Sequence, residues 1–326
     1  MMEKRMPKPS GSSVLPSQFG WRNVAFAALI IGGTVAVAHA ATTTRPITVA
    51  AAGDIACDAT ALGSKAEDAS GESCHMGATT QLIAAAHPDL VLPLGDEQYQ
   101  SATLDAFRAS YAKTWGRFLA ITRPAPGNHE YVTPHASGYF GYFGARAGDA
   151  TKGYYSFDRG RWHFIAINAN CGEVGGCASG SPEELWLKSD LARQAGKCIL
   201  AYWHQPRFSS GPHHSDPTYE PFWQDLYAAH ADIVLNGHDH DYERFAPQDP
   251  SGAASSRGIR EFVVGTGGRS HYIFTKVEPN SEARNATTFG VLVLHLWNDR
   301  YDWTFKGEPG KTFTDSGSAR CHAVSR

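Results

Sequence analysis

The chain has 326 residues, of which 42% are hydrophobic and 19% charged, and its formal net charge is -3. This balance excludes a disordered chain, a collagen-like repeat and a strongly basic nucleic-acid-binding protein. The chain also contains 15 His and 6 Cys, the two side-chain types that metals recruit most often. The composition therefore indicates a folded chain with an ample supply of possible metal ligands.

The first forty residues resemble a secretory signal peptide. Basic residues precede an almost uncharged apolar run over 24–38, and Ala38-His39-Ala40 fits the A-x-A cleavage pattern. A membrane anchor is the alternative, but about 15 apolar residues are fewer than the ~20 that a spanning helix needs. The sequence predicts a signal peptide over 1–40, secretion after cleavage near Ala40 without a stable membrane span, and a single catalytic domain over 41–326. The oligomeric state stays open.

Beyond the signal peptide, short apolar runs alternate with helical patterns. The runs predict buried strands over 47–52, 90–94, 164–167, 199–203, 233–235, 262–264, 291–296 and 301–305. Helical patterns cover 79–86 and 104–115. A third helix is predicted to begin at Ser181-Pro182-Glu183-Glu184, with Ser181 as N-cap and Glu184 completing a capping box. This alternation predicts an α/β fold of two packed sheets flanked by helices.

The six cysteines all follow residue 40, and an oxidising compartment favours their pairing as disulfides. Two pairs each enclose a short polar or Gly-rich stretch, and the remaining pair would fix the C-terminal segment. The pairing that this suggests is Cys57–Cys74, Cys171–Cys177 and Cys198–Cys321. Six cysteines allow 15 pairings, so this one is a hypothesis. A zinc site is the alternative, but no C-x2-C spacing supports it.

Polar residues of metal-binding type follow several predicted strands. In an open α/β sheet the carboxyl ends of the strands converge on one crevice, where ligands bind. A single motif of this kind is weak evidence for a metal site, because Gly-Asp after a strand more often forms a turn. The Gly-rich segment 265–268 lacks the helix that dinucleotide binding needs, and it predicts a loop close to the same edge. The five motifs are Gly53-Asp54, Gly95-Asp96-Glu97-Gln98-Tyr99, Gly127-Asn128-His129-Glu130, Ala201-Tyr202-Trp203-His204 and Gly237-His238-Asp239-His240.

In order and spacing, these motifs resemble those of the metallophosphoesterases, and within that superfamily the chain resembles the purple acid phosphatases. The second motif is G-D-x-x-Y, and the last is followed by Asp-Tyr-Glu-Arg over 241–244. Many relatives carry a His two residues after the first Asp, whereas here Asp54 is followed by Ile55-Ala56, so Tyr99 can fill the coordination position. A phenolate is a hard oxygen donor that suits a ferric ion.

The resemblance implies a two-sheet β-sandwich flanked by helices, with two metal ions at the carboxyl ends of its strands. Fe(III) would be bound by Asp54, Asp96, Tyr99 and His240. The second ion, Fe, Zn or Mn, would be bound by Asp96, Asn128, His204 and His238. Asp96 would therefore bridge the two ions, and an anionic bridge offsets the repulsion between cations about 3.5–4 Å apart.

Three further histidines match family positions that act on the substrate. The resemblance implies that His129 stabilises the transition state and protonates the leaving group, and that His213 and His214 contact the phosphate. The implied reaction is attack of a metal-bound hydroxide on a small-molecule phosphomonoester. The alternatives are a phosphodiesterase or nucleotidase on the same site, or a non-catalytic phosphate- or metal-binding protein. A zinc protease is disfavoured, because no H-E-x-x-H occurs.

Overall fold

The computed structural model describes residues 45–58 and 74–322. These residues all fall within the unit Thr44–Arg326. The predicted signal peptide and its cleavage site lie outside the described residues. Among the described residues, no helix combines the length and the apolar character that crossing a membrane requires.

Two mixed β-sheets and the helices around them make up the described part of the chain. The strands are β1 (Ile47–Ala52), β2 (Leu90–Pro93), β3 (Tyr155–Arg159), β4 (Trp162–Ala166), β5 (Cys198–Tyr202), β6 (Ile233–Asn236), β7 (Tyr242–Phe245), β8 (Arg260–Val264), β9 (Ser281–Asn285), β10 (Gly290–Leu296), β11 (Arg300–Gly307) and β12 (Ser316–Arg320). The α-helices are α1 (Met76–Ala86), α2 (Leu104–Ala109), α3 (Ser137–Phe143), α4 (Pro182–Leu191) and α5 (Glu220–Ala228). Short 3-10 segments are Tyr111–Lys113, Trp115–Ile121, Glu130–Val132, Pro134–Ala136, Gly144–Ala147, Cys171–Glu173 and Pro217–Tyr219.

The five-stranded sheet has the order β12-β11-β10-β1-β2, and the seven-stranded sheet has the order β3-β4-β5-β6-β8-β7-β9. In the first sheet only β1 and β2 run in parallel, while β10 pairs antiparallel with β1. In the second sheet β4, β5, β6 and β8 run in parallel. Parallel strands are buried on both faces, which explains the continuous apolar runs by which the sequence predicts them.

The main hydrophobic core lies between the two sheets. Its buried side chains come from both of them, for example Leu92 and Leu294 from the first sheet and Leu200 and Phe262 from the second. Helix α1 contacts β1 and β10 of the first sheet. A second core contains buried residues of α4, α5 and the parallel strands of the second sheet. The predicted fold class, two sheets flanked by helices, is therefore confirmed.

All eight predicted strands are present, with ends shifted by at most two residues. The predicted helix over 104–115 is wrong in length, because α2 ends at Ala109 and 3-10 segments follow. Tertiary hydrogen bonds explain the early end. The Tyr111 backbone N–H donates to Gln98 Oε1 at 3.1 Å, and Ser110 Oγ donates to the Cys57 carbonyl at 2.6 Å.

Helix α4 begins where the sequence predicts, after Ser181. The Ser181 hydroxyl accepts a hydrogen bond from the Glu184 N–H at 3.4 Å. The Glu184 carboxylate does not complete the predicted box, because it accepts from the Gly180 N–H at 3.0 Å rather than from that of Ser181. The prediction of Ser181 as N-cap is therefore confirmed. The predicted hydrogen bond from the Ser181 N–H to the Glu184 side chain is wrong, because the N–H of the preceding residue takes that place.

The three predicted disulfides, Cys57–Cys74, Cys171–Cys177 and Cys198–Cys321, are present. The third joins residues 123 positions apart, from β5 of the seven-stranded sheet to the residue after β12 of the five-stranded sheet. No described cysteine is free.

Candidate metal centre

The five motifs lie at one edge of the two sheets, in turns that hydrogen-bond to one another. The Asp54 N–H donates to the Gly95 carbonyl at 3.1 Å, which joins the turn after β1 to the turn after β2. The Gly237 N–H donates to the His204 carbonyl at 2.9 Å, which joins the turns after β6 and β5. The motif side chains therefore meet where strands of both sheets end, as expected for a ligand-binding crevice in an α/β fold.

The four side chains predicted to bind the first ion are in mutual contact. Tyr99 Oη lies 2.8 Å from Asp54 Oδ1, 3.0 Å from Asp96 Oδ2 and 3.0 Å from His240 Nε2. Nε2 of His240 also lies 3.2 Å from Asp54 Oδ1. All four side chains are buried. This is a compact set of two carboxylates, one phenol and one imidazole, and a hard cation prefers such oxygen donors.

Two of the side chains predicted to bind the second ion also cluster with Asp96. Nε2 of His204 is 3.2 Å from Asp96 Oδ2 and 3.2 Å from His238 Nδ1. Ligand atoms of these three residues all lie within 4.8 Å of one another. The Oδ1 atom of Asn128 is buried and has no hydrogen-bond partner. Buried polar atoms are normally paired, so this orphaned oxygen fits a cation ligand.

Two of the histidines predicted to be ligands are oriented by hydrogen bonds through Nδ1. The Nδ1–H of His204 donates to the Leu94 carbonyl at 2.8 Å, and Nδ1 of His240 lies 2.9 Å from Ser270 Oγ. In both rings Nε2 is therefore the nitrogen that faces the carboxylates, as is usual when a ligating imidazole is hydrogen-bonded through its other nitrogen. The Tyr272 ring stacks on that of His240 with centroids 4.0 Å apart.

The buried acids and imidazoles compensate one another's charge. Burial alone would raise the pKa of Asp96, but the charge and hydrogen bond of His204 outweigh it and lower that pKa. Burial alone would lower the pKa of His204, but Asp96 and Asp54 raise it to about 10. Burial, with the charge of His204, lowers the pKa of His238 to about 3. Since metal ligands bind deprotonated, a cation would displace protons from this cluster.

A buried carboxylate, Glu130, joins the second motif to the third. Its two oxygens accept backbone N–H groups from Asp96 at 2.9 Å, Glu97 at 3.0 Å and Gly127 at 2.8 Å. Burial, and then the charge of Asp96, raises the pKa of Glu130 to about 7. The sequence includes Glu130 in its motif but gives it no role, and the hydrogen bonds show that it orients the Asp96 and Asn128 loops.

The three predicted substrate-contacting histidines differ in their surroundings. Nδ1 of His129 donates to the Gln100 carbonyl at 2.6 Å, and its Nε2 lies 3.8 Å from Asp96 Oδ2. Nδ1 of His213 lies 2.8 Å from Asp239 Oδ1, and this hydrogen bond outweighs burial and raises the pKa of His213. The His213 ring lies 4.0 Å from that of His238. His214 is exposed, and its backbone N–H donates to the Gly211 carbonyl at 3.2 Å.

The Gly-rich segment 265–268 passes close to the site, as the sequence predicts. The Gly267 N–H donates to the Gly53 carbonyl at 2.9 Å, and the next residues lead to Ser270 and Tyr272 beside His240. Neither of these two residues, nor Asp239 as the partner of His213, is identified by the sequence. Their contacts join segments that are distant in the chain, and no local pattern reports such contacts.

A sequence model of the family described as Calcineurin-like phosphoesterase matches residues 47–242. The match covers more than half of the chain and includes every predicted ligand. The chain therefore belongs to the calcineurin-like phosphoesterase family.

Within this family the chain is a purple acid phosphatase-like metallophosphoesterase. It is 31% identical over 195 residues to purple acid phosphatase 15 of Arabidopsis thaliana, a match that covers 48% of this chain and 36% of that protein. It is 33% identical over 156 residues to purple acid phosphatase 23 of the same plant, covering 40% of this chain and 32% of that protein. The chain therefore spans about a third of the length of these two relatives.

Two solved structures share the fold at low sequence identity. The purple acid phosphatase PPD1 from yellow lupin (Lupinus luteus) seeds has a TM-score of 0.65 and 20% identity, and the match covers 83% of this chain and 53% of that one. GAP50, the anchor in the inner membrane complex of Plasmodium, has a TM-score of 0.59 and 14% identity, covering 86% of this chain and 94% of that one. These similarities establish the architecture, and the function must be argued from the site.

Proposed function

We propose that this protein is a phosphomonoesterase with a binuclear metal centre. The observation that carries the proposal is the clustering of the Asp96 carboxylate with a second carboxylate, a phenol and three imidazoles, in which neighbouring polar atoms are about 3 Å apart. The sequence similarity to purple acid phosphatases supports it. The fold by itself does not, since GAP50 has the same architecture and is described as an anchor.

The contacts among the side chains support the division into two ligand sets. Asp54, Tyr99 and His240 contact one another and would hold an Fe(III) ion together with Asp96. His204, which lies beside Asp96 and His238, would hold Fe, Zn or Mn together with these two residues and Asn128. Only the first set contains a phenol, which is the donor that a ferric ion favours over a divalent one. The second set is neutral apart from Asp96, so its ion would keep more of its positive charge for the substrate.

Residues at the mouth of the site would handle the substrate. Bound at this site, two cations would supply an activated water and neutralise the charge of the phosphate oxygens. His129 has its Nδ1–H engaged by Gln100, so its Nε2 is the atom that would give a proton to the leaving oxygen. The hydrogen bond with Asp239 raises the pKa of His213, and in its protonated form this imidazole would attract the phosphate dianion. A phosphate contact by His214 stays a prediction.

The cellular location and domain organisation are also proposals. We propose that residues 1–40 direct export, that cleavage occurs near Ala40 and that residues 41–326 form the catalytic domain. Three disulfides among the described residues support an oxidising compartment. N-terminal sequencing of the protein purified from outside the cell would test this, and a chain that retains residues 1–40 would contradict it.

Turnover of defined phosphoesters tests the proposed activity. The purified protein should hydrolyse an aryl phosphate monoester at acidic pH, lose activity when chelated and recover it when two metal ions per chain are restored. A matched aryl phosphate diester identifies the alternative: faster turnover of the diester would favour a phosphodiesterase, and preference for a nucleoside monophosphate would favour a nucleotidase. A protein that binds two ions but hydrolyses none of these would be a non-catalytic binder.

The ferric assignment has a spectroscopic test. A tyrosinate bound to Fe(III) absorbs visible light, so the protein should be coloured and Tyr99→Phe should lose the band. Tyr219→Phe is the matched control, because Tyr219 is also buried but its hydroxyl bonds to the Ala169 carbonyl, away from the ligands. A colourless, fully active protein containing only Zn or Mn would exclude Fe(III).

A further inference from the structure

Two asparagines that follow β4 hold both ends of the segment that carries Asn128 and His129. The Nδ2 group of Asn170 donates to the Gly127 carbonyl at 3.2 Å and the Pro126 carbonyl at 3.4 Å, immediately before Asn128. The Nδ2 group of Asn168 donates to Tyr131 Oη at 2.7 Å, two residues beyond His129. The two side-chain amides therefore contact this segment on both sides of its proposed ligand.

The asparagines are themselves firmly anchored. Asn168 is fully buried, its N–H donates to Glu183 Oε1 of α4 at 2.7 Å, and its Nδ2 also donates to the Lys152 carbonyl at 2.9 Å. Its Oδ1 accepts both the N–H of Asn170 at 3.1 Å and the Nδ2 of Asn170 at 3.0 Å. The Cys171–Cys177 disulfide closes the turn that follows. The pair is thus a rigid support rather than part of a free loop.

We propose that Asn168 and Asn170 form a positioning pair that sets the affinity of the second metal ion and the orientation of His129. This inference rests on the proposed function, because it concerns the same dimetal site. Asn128 is a neutral ligand, so its contribution depends on being held in place more than a carboxylate's would. Amide donors suit this task, because they restrain the segment without placing a positive charge beside a cation.

The first test compares two isosteric substitutions. In Asn170→Asp, a carboxylate oxygen, which accepts hydrogen bonds, replaces the Nδ2 group that donates to the Pro126 and Gly127 carbonyls. Asn280→Asp is the matched control, because Asn280 Nδ2 also donates to a carbonyl, that of Gly252 at 2.7 Å, and does not contact the site. Metal-free protein would be titrated with Zn²⁺ alone, with the two dissociation constants read by calorimetry.

Asn170→Asp should weaken the weaker of the two Zn²⁺ sites by about 10–100-fold, the range typical of residues that support a metal ligand. The tighter site and both sites of Asn280→Asp should stay within about twofold of the unaltered protein. Unchanged constants in Asn170→Asp would overturn the inference. A protein that binds two Zn²⁺ ions but hydrolyses no phosphoester would overturn only the proposed function, since the titration still measures the pair's effect.

A second variant covers the case in which Asn170→Asp does not fold. Tyr131→Phe removes only the hydroxyl to which Asn168 donates. In hydrogen–deuterium exchange, the backbone amides of residues 127–131 should exchange faster than in the unaltered protein, while those of β4 keep their rates. A fall in kcat larger than the change in KM should accompany this. Unchanged exchange over 127–131 would overturn the inference whatever metal is bound.

Discussion

Three of the proposed ligands have a backbone conformation that most residues avoid. The φ angles of Asp54, Asp96 and His238 are 60°, 50° and 70°, in the left-handed region that costs a non-glycine residue roughly 1–2 kcal/mol. Each follows a glycine in its motif, and Asp, Asn and His tolerate this region better than most residues. The sharp turn after each strand directs the side chain back into the crevice, so the strain accompanies the ligand geometry.

The Asp96 carboxylate, which is proposed to bind both ions, gives the most direct prediction for a single residue. Asp96→Asn keeps the side-chain shape and tolerates the positive φ, but it removes the anion between the two proposed ions. Metal content should fall below two ions per chain and kcat by more than about 100-fold, since loss of a ligand should exceed loss of its support. Elemental analysis and kinetics measure this. Asp105→Asn, at an exposed site in α2, should match the unaltered protein, and a fully loaded, active Asp96→Asn would contradict the shared-ligand assignment.

The close packing of Gly127 against Asp96 predicts that a larger residue at position 127 lowers activity. A Cβ atom on Gly127 would lie 2.9 Å from Asp96 Cγ and closer still to the carboxylate oxygen, so Gly127→Ala should displace the Asp96 carboxylate. We expect kcat to fall by about 10–100-fold with the far-UV circular dichroism unchanged. Gly77→Ala is the control, because nothing lies within 4 Å of its Cβ and alanine in α1 should add up to about 1 kcal/mol of stability. Equal kcat in the two variants would contradict this packing argument.

At the residue scale, the sequence predicts the ligand types but not their supports. Motifs such as Gly95-Asp96 are visible because the ligand and its turn are adjacent in the chain. The contacts of Asn170 with Gly127, or of Ser270 with His240, join residues more than 25 positions apart, and no periodicity marks either partner. The side chains that would bind the ions are therefore predictable, whereas those that orient them require the fold.

At the scale of elements, the sequence misses four of the described strands, β3, β7, β9 and β12. The strands β9, β12 and β3 each lie at the edge of a sheet, and the sequences of β9 and β12, Ser-Glu-Ala-Arg-Asn and Ser-Gly-Ser-Ala-Arg, contain no large apolar residue. Such strands form because a neighbour offers hydrogen-bond partners, and edge strands are commonly polar. Strands with continuous apolar runs are therefore predictable from the sequence, including β2 at a sheet edge, whereas short or polar strands are not.

The cap of α4 gives a prediction for a single element. Ser181→Ala removes the hydroxyl that accepts the Glu184 N–H, which should lower the free energy of unfolding by about 1 kcal/mol. Urea unfolding followed by fluorescence measures the change. Ser189→Ala, at an exposed position of the same helix, should change stability by less than about 0.5 kcal/mol. A loss in Ser189→Ala as large as in Ser181→Ala would show that the cap is not the cause.

At the scale of the whole molecule, one carboxylate joins the two sheets. Asp315 precedes β12 of the first sheet and accepts hydrogen bonds from Tyr242 Oη at 2.7 Å and Arg244 Nε at 2.7 Å, both on β7 of the second sheet. The Trp303 indole N–H of β11 donates to the same oxygen at 3.1 Å. Burial alone would raise the pKa of Asp315, but Arg244 and these hydrogen bonds outweigh it and lower that pKa.

The depressed pKa of Asp315 predicts a pH-dependent contribution to stability. The carboxylate is charged at lower pH in the folded than in the unfolded chain, so its contribution is fully present above the unfolded pKa of about 4 and is lost as the pH falls through the folded pKa. Asp315→Asn should therefore lower the free energy of unfolding by about 2–3 kcal/mol at pH 7 and by progressively less below pH 4. Chemical unfolding of both proteins across this range measures it, and a difference independent of pH would rule out the charge as its source.

The position of β1 has a consequence for how the protein is made. All seven proposed ligands lie between residues 54 and 240, yet β1, which carries Asp54, pairs on one side with β10 at Gly290–Leu296. A growing chain thus contains every ligand well before it contains the strand that completes the sheet around the first of them. Pairing of such distant segments is slow. We therefore expect the proposed centre to form only after the chain has been synthesised beyond β10, so that metal ions would be acquired in the compartment in which the chain folds.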